Sequence, residues 1–196
     1  MDKLKIGVIG IGGIAKNRHL PALTENERFE VVALCDIKKE KAIKEAGKYE
    51  IDKIFKNYSK LLELDEIDAV DICTPNHLHS IIAIEAFEKG KHVFSEKPDT
   101  IDVKEAIKMK KASEKADKML MVMRNNRFLN SSMFLKELIE EGKLGEIYAA
   151  KCGWRRRRGI PGKGGWFTTK SKSGGGPLID LGVHMIDLAI WFMGNP

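Results

Sequence analysis

Short runs of β-branched and other apolar residues recur along this chain with helical patterns between them, and that alternation restricts the fold more than any other feature. The runs KIGVIG, FEVVALCD, AVDICT, KHVFSEK and MLMVMRN alternate with GIAKNRHLPALTE, KKEKAIKEAGK, HLHSIIAIEAFEKG and DVKEAIKMKKASEKA. Strands separated by helix-length segments are joined by crossovers, which gives βαβ units and a parallel sheet. The runs are nearly all apolar, so helices must cover both sheet faces. An α/β, doubly wound parallel sheet is expected over residues 1–124. Beyond it the order changes to a helix (SSMFLKELIEEG), a strand expected over 146–156, a loop, and a last helix over 177–193. Residues 125–196 therefore read as the first part of a second domain.

The chain has 196 residues, 43% apolar and 32% charged, a balance that excludes disorder and fibre and allows a real core. Cys35, Cys73 and Cys152 lack metal-ligand spacing, and two lie in apolar runs where a thiol acts as a small hydrophobe. Reduced thiols and a cytoplasmic location are expected. The N-terminus enters a strand pattern at once, without a leader, and Asp180, His184 and Asp187 interrupt the late apolar run, so neither export nor membrane insertion is expected. The net charge of +6 is local: residues 151–172 hold eight Lys and Arg and no acid, leaving the remainder at −2. Without interleaved aromatics or a known module, the run Arg155–Arg158 does not indicate a nucleic-acid partner.

The first strand runs into GIGGIA, where Gly10, Gly12 and Ala15 have the G-x-G-x-x-A spacing, with Ile11, Gly13 and Ile14 between them. Such a turn lets the backbone approach a pyrophosphate, whose charge then faces the start of the next helix. Asp36 follows 21 residues after Ala15, at the end of the second run. A carboxylate there can bind the ribose hydroxyls of NAD and would repel the 2′-phosphate of NADP, so NAD is the expected cofactor. The competing interpretation, a structural glycine turn and a helix-capping Asp, explains less of this ordered context.

Three further segments carry chemistry. In CTPNHLH, Thr74, Pro75 and Asn76 end a strand, where Asn76 as a cap and Pro75 as a turn former need no ligand. His77 and His79 stand two residues apart and cannot share a helical face, so they do not indicate a metal pair, and no metal is expected. In SEKP, Pro98 favours extended backbone at Lys97, and a lysine at the sheet edge can stabilise developing negative charge, with Glu96 fixing it or touching the cofactor. In the last helix Asp180, His184 and Asp187 fall on one stripe of an otherwise apolar surface. A carboxylate one turn from an imidazole can orient it as a general base.

Taken in order, GIGGIA, CTPNHLH, SEKP and GGGPLIDLGVHMIDL resemble the glucose-fructose oxidoreductase, inositol dehydrogenase and rhizopine-catabolism family of NAD(P)-dependent enzymes, over almost the whole chain. The resemblance implies a Rossmann domain followed by an open-sheet α/β domain. It implies that Lys97, Asp180 and His184 form the catalytic set. Cofactor contacts would come from Gly10, Ile11, Gly12, Gly13, Ile14, Asp36, Thr74, Pro75, Asn76, Glu96 and Lys97. Arg127 and Trp166 are candidate substrate contacts. The reaction expected is hydride transfer between a secondary alcohol of a sugar or polyol and nicotinamide, in a homo-oligomer. Two rivals are an NAD-dependent glycosidase of the same family and a redox-silent dinucleotide sensor. Family members continue beyond the last helix, so the resemblance also implies that the second domain is incomplete within these 196 residues.

Overall fold

The structure, a computed structural model, describes residues 2–155, 157–159, 161–162 and 164–194. Arg156, within the arginine run, lies outside the described residues. Contacts divide the chain into Met1–Val122 and Met123–Pro196.

The first unit holds six strands: β1 (Leu4–Ile9), β2 (Phe29–Cys35), β3 (Lys53–Phe55), β4 (Ala69–Ile72), β5 (His92–Ser95) and β6 (Leu120–Val122). All pairs are parallel, in the order β3-β2-β1-β4-β5-β6. This is the doubly wound sheet expected, with the chain reversing direction of growth between β1 and β4. The edge strand β3 was not among the expected runs. Only three residues long, it forms by pairing Lys53, Ile54 and Phe55 with Ala33, Leu34 and Cys35.

Helices cover both faces: α1 (Leu20–Glu25), α2 (Lys39–Tyr49), α3 (Tyr58–Leu62), α4 (His79–Glu88) and α5 (Val103–Ala116). On one face Ile9, Leu61, Ile67, Ile82, Phe87 and Met109 pack together, and on the other Val8, Ile11, Leu20, Leu34, Ala42 and Ala46. A register shift opposite Ile6 and Gly7 skips Val32, so that Val31 and Ala33 join opposite core clusters. Asn57 caps α3 through the Ser59 N–H, and Asp102 caps α5 through the Glu105 N–H.

The second unit contains α6 (Asn130–Glu140), α7 (Lys170–Ser173) and α8 (Val183–Met193), with a π-helical turn over Leu178–Gly182 leading into α8. The strand expected over 146–156 is not formed: residues 146–155 take no ladder partner among the described residues, and nearly all are exposed. A β-branched or aromatic pattern becomes a strand only against a partner edge and a face to bury. The stretch Lys170–Met193 is long and apolar enough for a membrane span by length and composition. Gly174, at φ +83°, and the bend beside it nevertheless break that stretch into two helical pieces. Apolar as its sequence is, the last helical segment is largely accessible, with Leu178 72% exposed and only His184 of α8 buried.

Candidate functional site

The carboxyl edge of the parallel sheet gathers the motif residues of the first unit. Gly10 follows β1 at φ +94°, and its N–H donates to the Cys35 carbonyl at 2.8 Å. A Cβ there would lie 2.7 Å from the Cys73 carbonyl oxygen, so only glycine fits between the ends of β1 and β4. A Cβ on Gly12 would meet nothing within 4 Å, so the loop faces open space where a ligand backbone can approach. A π-helical turn, Ala15–His19, then opens the helical segment.

Asp36, just past β2, is oriented toward this loop. Its Oδ2 accepts the Ile11 N–H at 2.9 Å and its Oδ1 accepts the Lys38 N–H at 2.8 Å. A carboxylate has about four lone-pair sites, so the two still available suit the two hydroxyls of a ribose. Thr74, beside Gly10, has a buried hydroxyl oxygen with no hydrogen-bond partner among the described residues, and His77 Nδ1 is in the same condition. Buried polar atoms are ordinarily paired, so an unpaired one at a sheet edge is a place for a ligand group. A positive-φ glycine turn, an open Gly12, a partly unsatisfied Asp36 and an orphaned Thr74 hydroxyl together fit a dinucleotide.

Behind the edge lies a polar cluster that local sequence reasoning did not identify. His19 is 4% exposed, with Nδ1 2.8 Å from Asp71 Oδ2 and Nε2 3.0 Å from Glu96 Oε1. A ring between two carboxylates donates from both nitrogens and is an imidazolium. Burial opposes that charge, but the hydrogen bonds with Asp71, Cys73 and Glu96 overcome it and raise the His19 pKa to about 12. Burial would raise the Glu96 carboxyl, yet the bond and charge of His19 and the Lys97 N–H hold it below the usual value. Burial pushes the Cys73 thiol, 3.4 Å from His19 Nδ1, up to about 12, so it is not a nucleophile at neutral pH. His19, Asp71 and Cys73 come close enough together to hold a metal ion, but the carboxylates already engage both ring nitrogens. One sequence signal was available: Asp71 stands inside a fully buried strand, and a buried acid needs a partner.

Lys97 follows β5 and Glu96, half-buried, with its N–H donated to Glu96 Oε2 at 3.0 Å and a cis peptide bond to Pro98. His79, dismissed as a metal ligand, is fully buried, with Nδ1 2.8 Å from the Pro98 carbonyl and Nε2 2.9 Å from the Thr74 carbonyl. Asn76 is buried at the turn between β4 and α4, beside the half-buried Pro75.

In the second unit Asp180 lies in the π-helical turn before α8, half-buried, with its N–H on the Gly176 carbonyl at 3.3 Å. His184 is 7% exposed, with the Trp154 ring centroid 5.7 Å from its own. Both π-turns among the described residues thus coincide with motifs read from the sequence, and π-turns often lie at functional sites. Asp187, the third residue of the stripe, is bound to arginines: Arg127 donates from Nε at 2.8 Å and from a terminal nitrogen at 2.5 Å, and Arg124 Nε lies 3.2 Å away. The Arg127 guanidinium, a candidate substrate contact, is therefore engaged in a bidentate ion pair. Trp166 stacks on its neighbour Phe167, with centroids 3.7 Å apart.

Comparison with known proteins agrees with this geometry. Residues 4–124 match the oxidoreductase family with an NAD-binding Rossmann fold, and residues 133–196 match the GFO/IDH/MocA C-terminal domain. D-glucoside 3-dehydrogenase of Escherichia coli is 35% identical over 193 residues, covering 98% of this chain and 55% of that protein. Myo-inositol 2-dehydrogenase of Thermotoga maritima is 28% identical over 98% of this chain and 55% of its own length. The solved structure of a 3-ketoreductase from Actinomadura kijaniata, in complex with NADP and TDP-benzene, superposes with a TM-score of 0.85 at 29% identity, covering 98% of this chain and 58% of that one. The chain spans about half the length of the relatives it matches.

Proposed function

The chain belongs to the GFO/IDH/MocA oxidoreductase family, whose first domain is an NAD-binding Rossmann fold, and from that premise we propose that it serves hydride transfer at a secondary alcohol of a sugar or polyol. Similarity to a glucoside dehydrogenase and an inositol dehydrogenase supports the substrate class. The observation that carries the cofactor half is the Gly10–Asp36 arrangement, with an open Gly12 and a carboxylate aimed at the loop. The 3-ketoreductase relative was solved with NADP, but Asp36 supports a preference for NAD here, since a carboxylate repels a 2′-phosphate.

Bound nicotinamide supplies the hydride acceptor or donor. Gly10, Ile11, Gly12, Gly13 and Ile14 would cradle the pyrophosphate, Asp36 the ribose, and Thr74, Pro75, Asn76 and Glu96 the nicotinamide side. Lys97 would polarise the substrate oxygen as carbonyl character grows, His184 would take the hydroxyl proton, and Asp180 would orient and charge-balance His184. Trp166 offers an aromatic face to a sugar ring. A cytoplasmic location and a homo-oligomer belong to the same proposal, the first supported by the unpaired cysteines. Incubation of the protein with NAD and a panel of sugars and polyols tests it: NADH formation with a keto product supports hydride transfer. Sugar release without net NADH would replace this reading with the glycosidase chemistry.

A further inference from the structure

Two buried histidines hold the segment that carries Lys97, one from each side. On the upstream side Glu96 is gripped at both oxygens: Oε1 lies 3.0 Å from His19 Nε2, and Oε2 accepts the Lys97 N–H at 3.0 Å. On the downstream side the Pro98 carbonyl lies 2.8 Å from His79 Nδ1. Each histidine turns its other nitrogen to β4 or its outgoing turn, His19 to Asp71 within the strand at 2.8 Å and His79 to the Thr74 carbonyl at 2.9 Å. Strand β4 is flanked by β1 and β5 and every residue in it is buried, so it is a rigid reference. The Glu96–Lys97 and Pro98–Asp99 peptide units, which bracket Lys97 and Pro98, are thereby referred to one strand.

We propose that His19 and His79 are positioning residues that fix the Glu96–Lys97–Pro98 backbone against β4 and so aim the Lys97 side chain. This rests on the assignment of Lys97 to the chemistry. Imidazole suits the task because its two nitrogens lie on opposite edges of a rigid ring, so that one side chain bridges two partners. The two rings do so in different states. His19, between the carboxylates of Asp71 and Glu96, with the Cys73 thiol beside it, donates twice as a cation. His79, between two carbonyls, is held neutral by burial, with its pKa below the ordinary value despite the Pro98 and Thr74 carbonyls and the charges of Glu96 and Asp99. A neutral ring carries one N–H, so only one of the two carbonyls receives a hydrogen bond at a time. The tie that matters for Lys97 is the one from Nδ1 to Pro98.

The test separates the two nitrogens. In H79N the amide nitrogen takes the place of Nδ1 and keeps the bond to Pro98, in H79Q it takes the place of Nε2 and keeps the bond to Thr74, and H79L keeps neither. With NAD and the preferred sugar or polyol of the panel, kcat/KM is expected to fall about 10- to 100-fold in H79L and H79Q and to be largely restored in H79N, the NADH dissociation constant staying within about threefold throughout. For the other arm, hydrogen exchange of the Lys97 amide is expected to quicken at least about tenfold in H19N, whose amide nitrogen takes the place of Nδ1 and so leaves Glu96 without both its hydrogen bond and its cation. Equal kcat/KM in H79N and H79Q overturns the proposal for His79 whether or not H79L folds. Wild-type exchange at the Lys97 amide in H19N overturns it for His19, and E96Q, close in shape to the native residue, replaces H19N if that variant does not fold. If K97A leaves turnover intact, the catalytic reading fails on its own. Amide exchange of Lys97 in the His19 and His79 variants then decides the positioning proposal without any turnover assay.

Discussion

The Cβ that Gly10 lacks would stand 2.7 Å from the carbonyl oxygen of Cys73, so β1 and β4 approach at their carboxyl ends only because that position carries no side chain. The backbone at Gly10 is at φ +94°, where any other residue is also strained. Gly10→Ala therefore combines backbone strain with overpacking, and is expected to cost about 2–5 kcal/mol of stability. Urea unfolding of the variant measures it. Gly12→Ala meets no atom within 4 Å, so it should leave stability nearly unchanged while weakening NAD binding, a contrast that one pair of variants checks.

Asp36 should decide between the two dinucleotides. Both of its oxygens take backbone N–H bonds, from Ile11 and Lys38, so Asp36→Ala loses the negative charge and loosens the loop together. The NAD-to-NADP affinity ratio is expected to fall at least about tenfold, the equivalent of about 1.4 kcal/mol. Fluorescence titration with each reduced cofactor reads the ratio, and an unchanged value would remove Asp36 from the ribose site.

The buried cluster around His19 gives stability a pH dependence with a definite sign. His19 has its pKa raised from 6.5 to about 12 in the fold, so its contribution is complete below pH 6.5 and is lost as pH rises toward 12. Glu96 is shifted the other way, and its contribution is present above the ordinary carboxylate range and lost on acidification. The advantage of wild type over His19→Gln should thus be greatest in the mildly acidic range. Above pH 6.5 it should decline with each further rise in pH, as the unfolded chain gives up the proton that the fold retains on His19. Chemical unfolding of both proteins across that range tests the slope, and an advantage that grows with alkalinity would reverse the assignment of charge.

Arg127 and Asp187 tie the start of the second unit to α8. Their bidentate pair leaves the Asp187 side chain only 10% exposed, so Arg127→Ala strands a nearly buried carboxylate on Arg124 alone. A loss of about 1–3 kcal/mol is expected, with a non-additive double mutant with Asp187→Ala. Should Arg127→Ala instead weaken substrate binding at unchanged stability, the ion pair would be secondary to a substrate contact.

Legibility in the sequence followed the range of the forces involved. The parallel sheet was readable because strands buried on both faces must be apolar along their length, as Ala69–Ile72 and Phe29–Cys35 nearly are. Gly10 and Asp36 were readable because turn geometry and strand ends are local. The short strand Lys53–Phe55 was not, since its three residues owe their form to β2 rather than to their own pattern. For residues 146–155 the pattern was present and the partner absent among the described residues. Glu96 was read as fixing Lys97 or touching the cofactor, while its partner His19 lies 77 positions away, beyond any local signal. The pairing of Arg127 with Asp187 spans 60 positions and was equally hidden.

The most direct test of hydride transfer with Lys97 and His184 as its working groups is a paired measurement on K97A and H184A. Turnover of NAD with the best sugar or polyol is compared with the NADH dissociation constant of each variant. The expected result is a loss of at least about 100-fold in kcat for each, with cofactor affinity within about threefold of wild type. Retention of wild-type kcat in both variants, with NADH still bound, would contradict it.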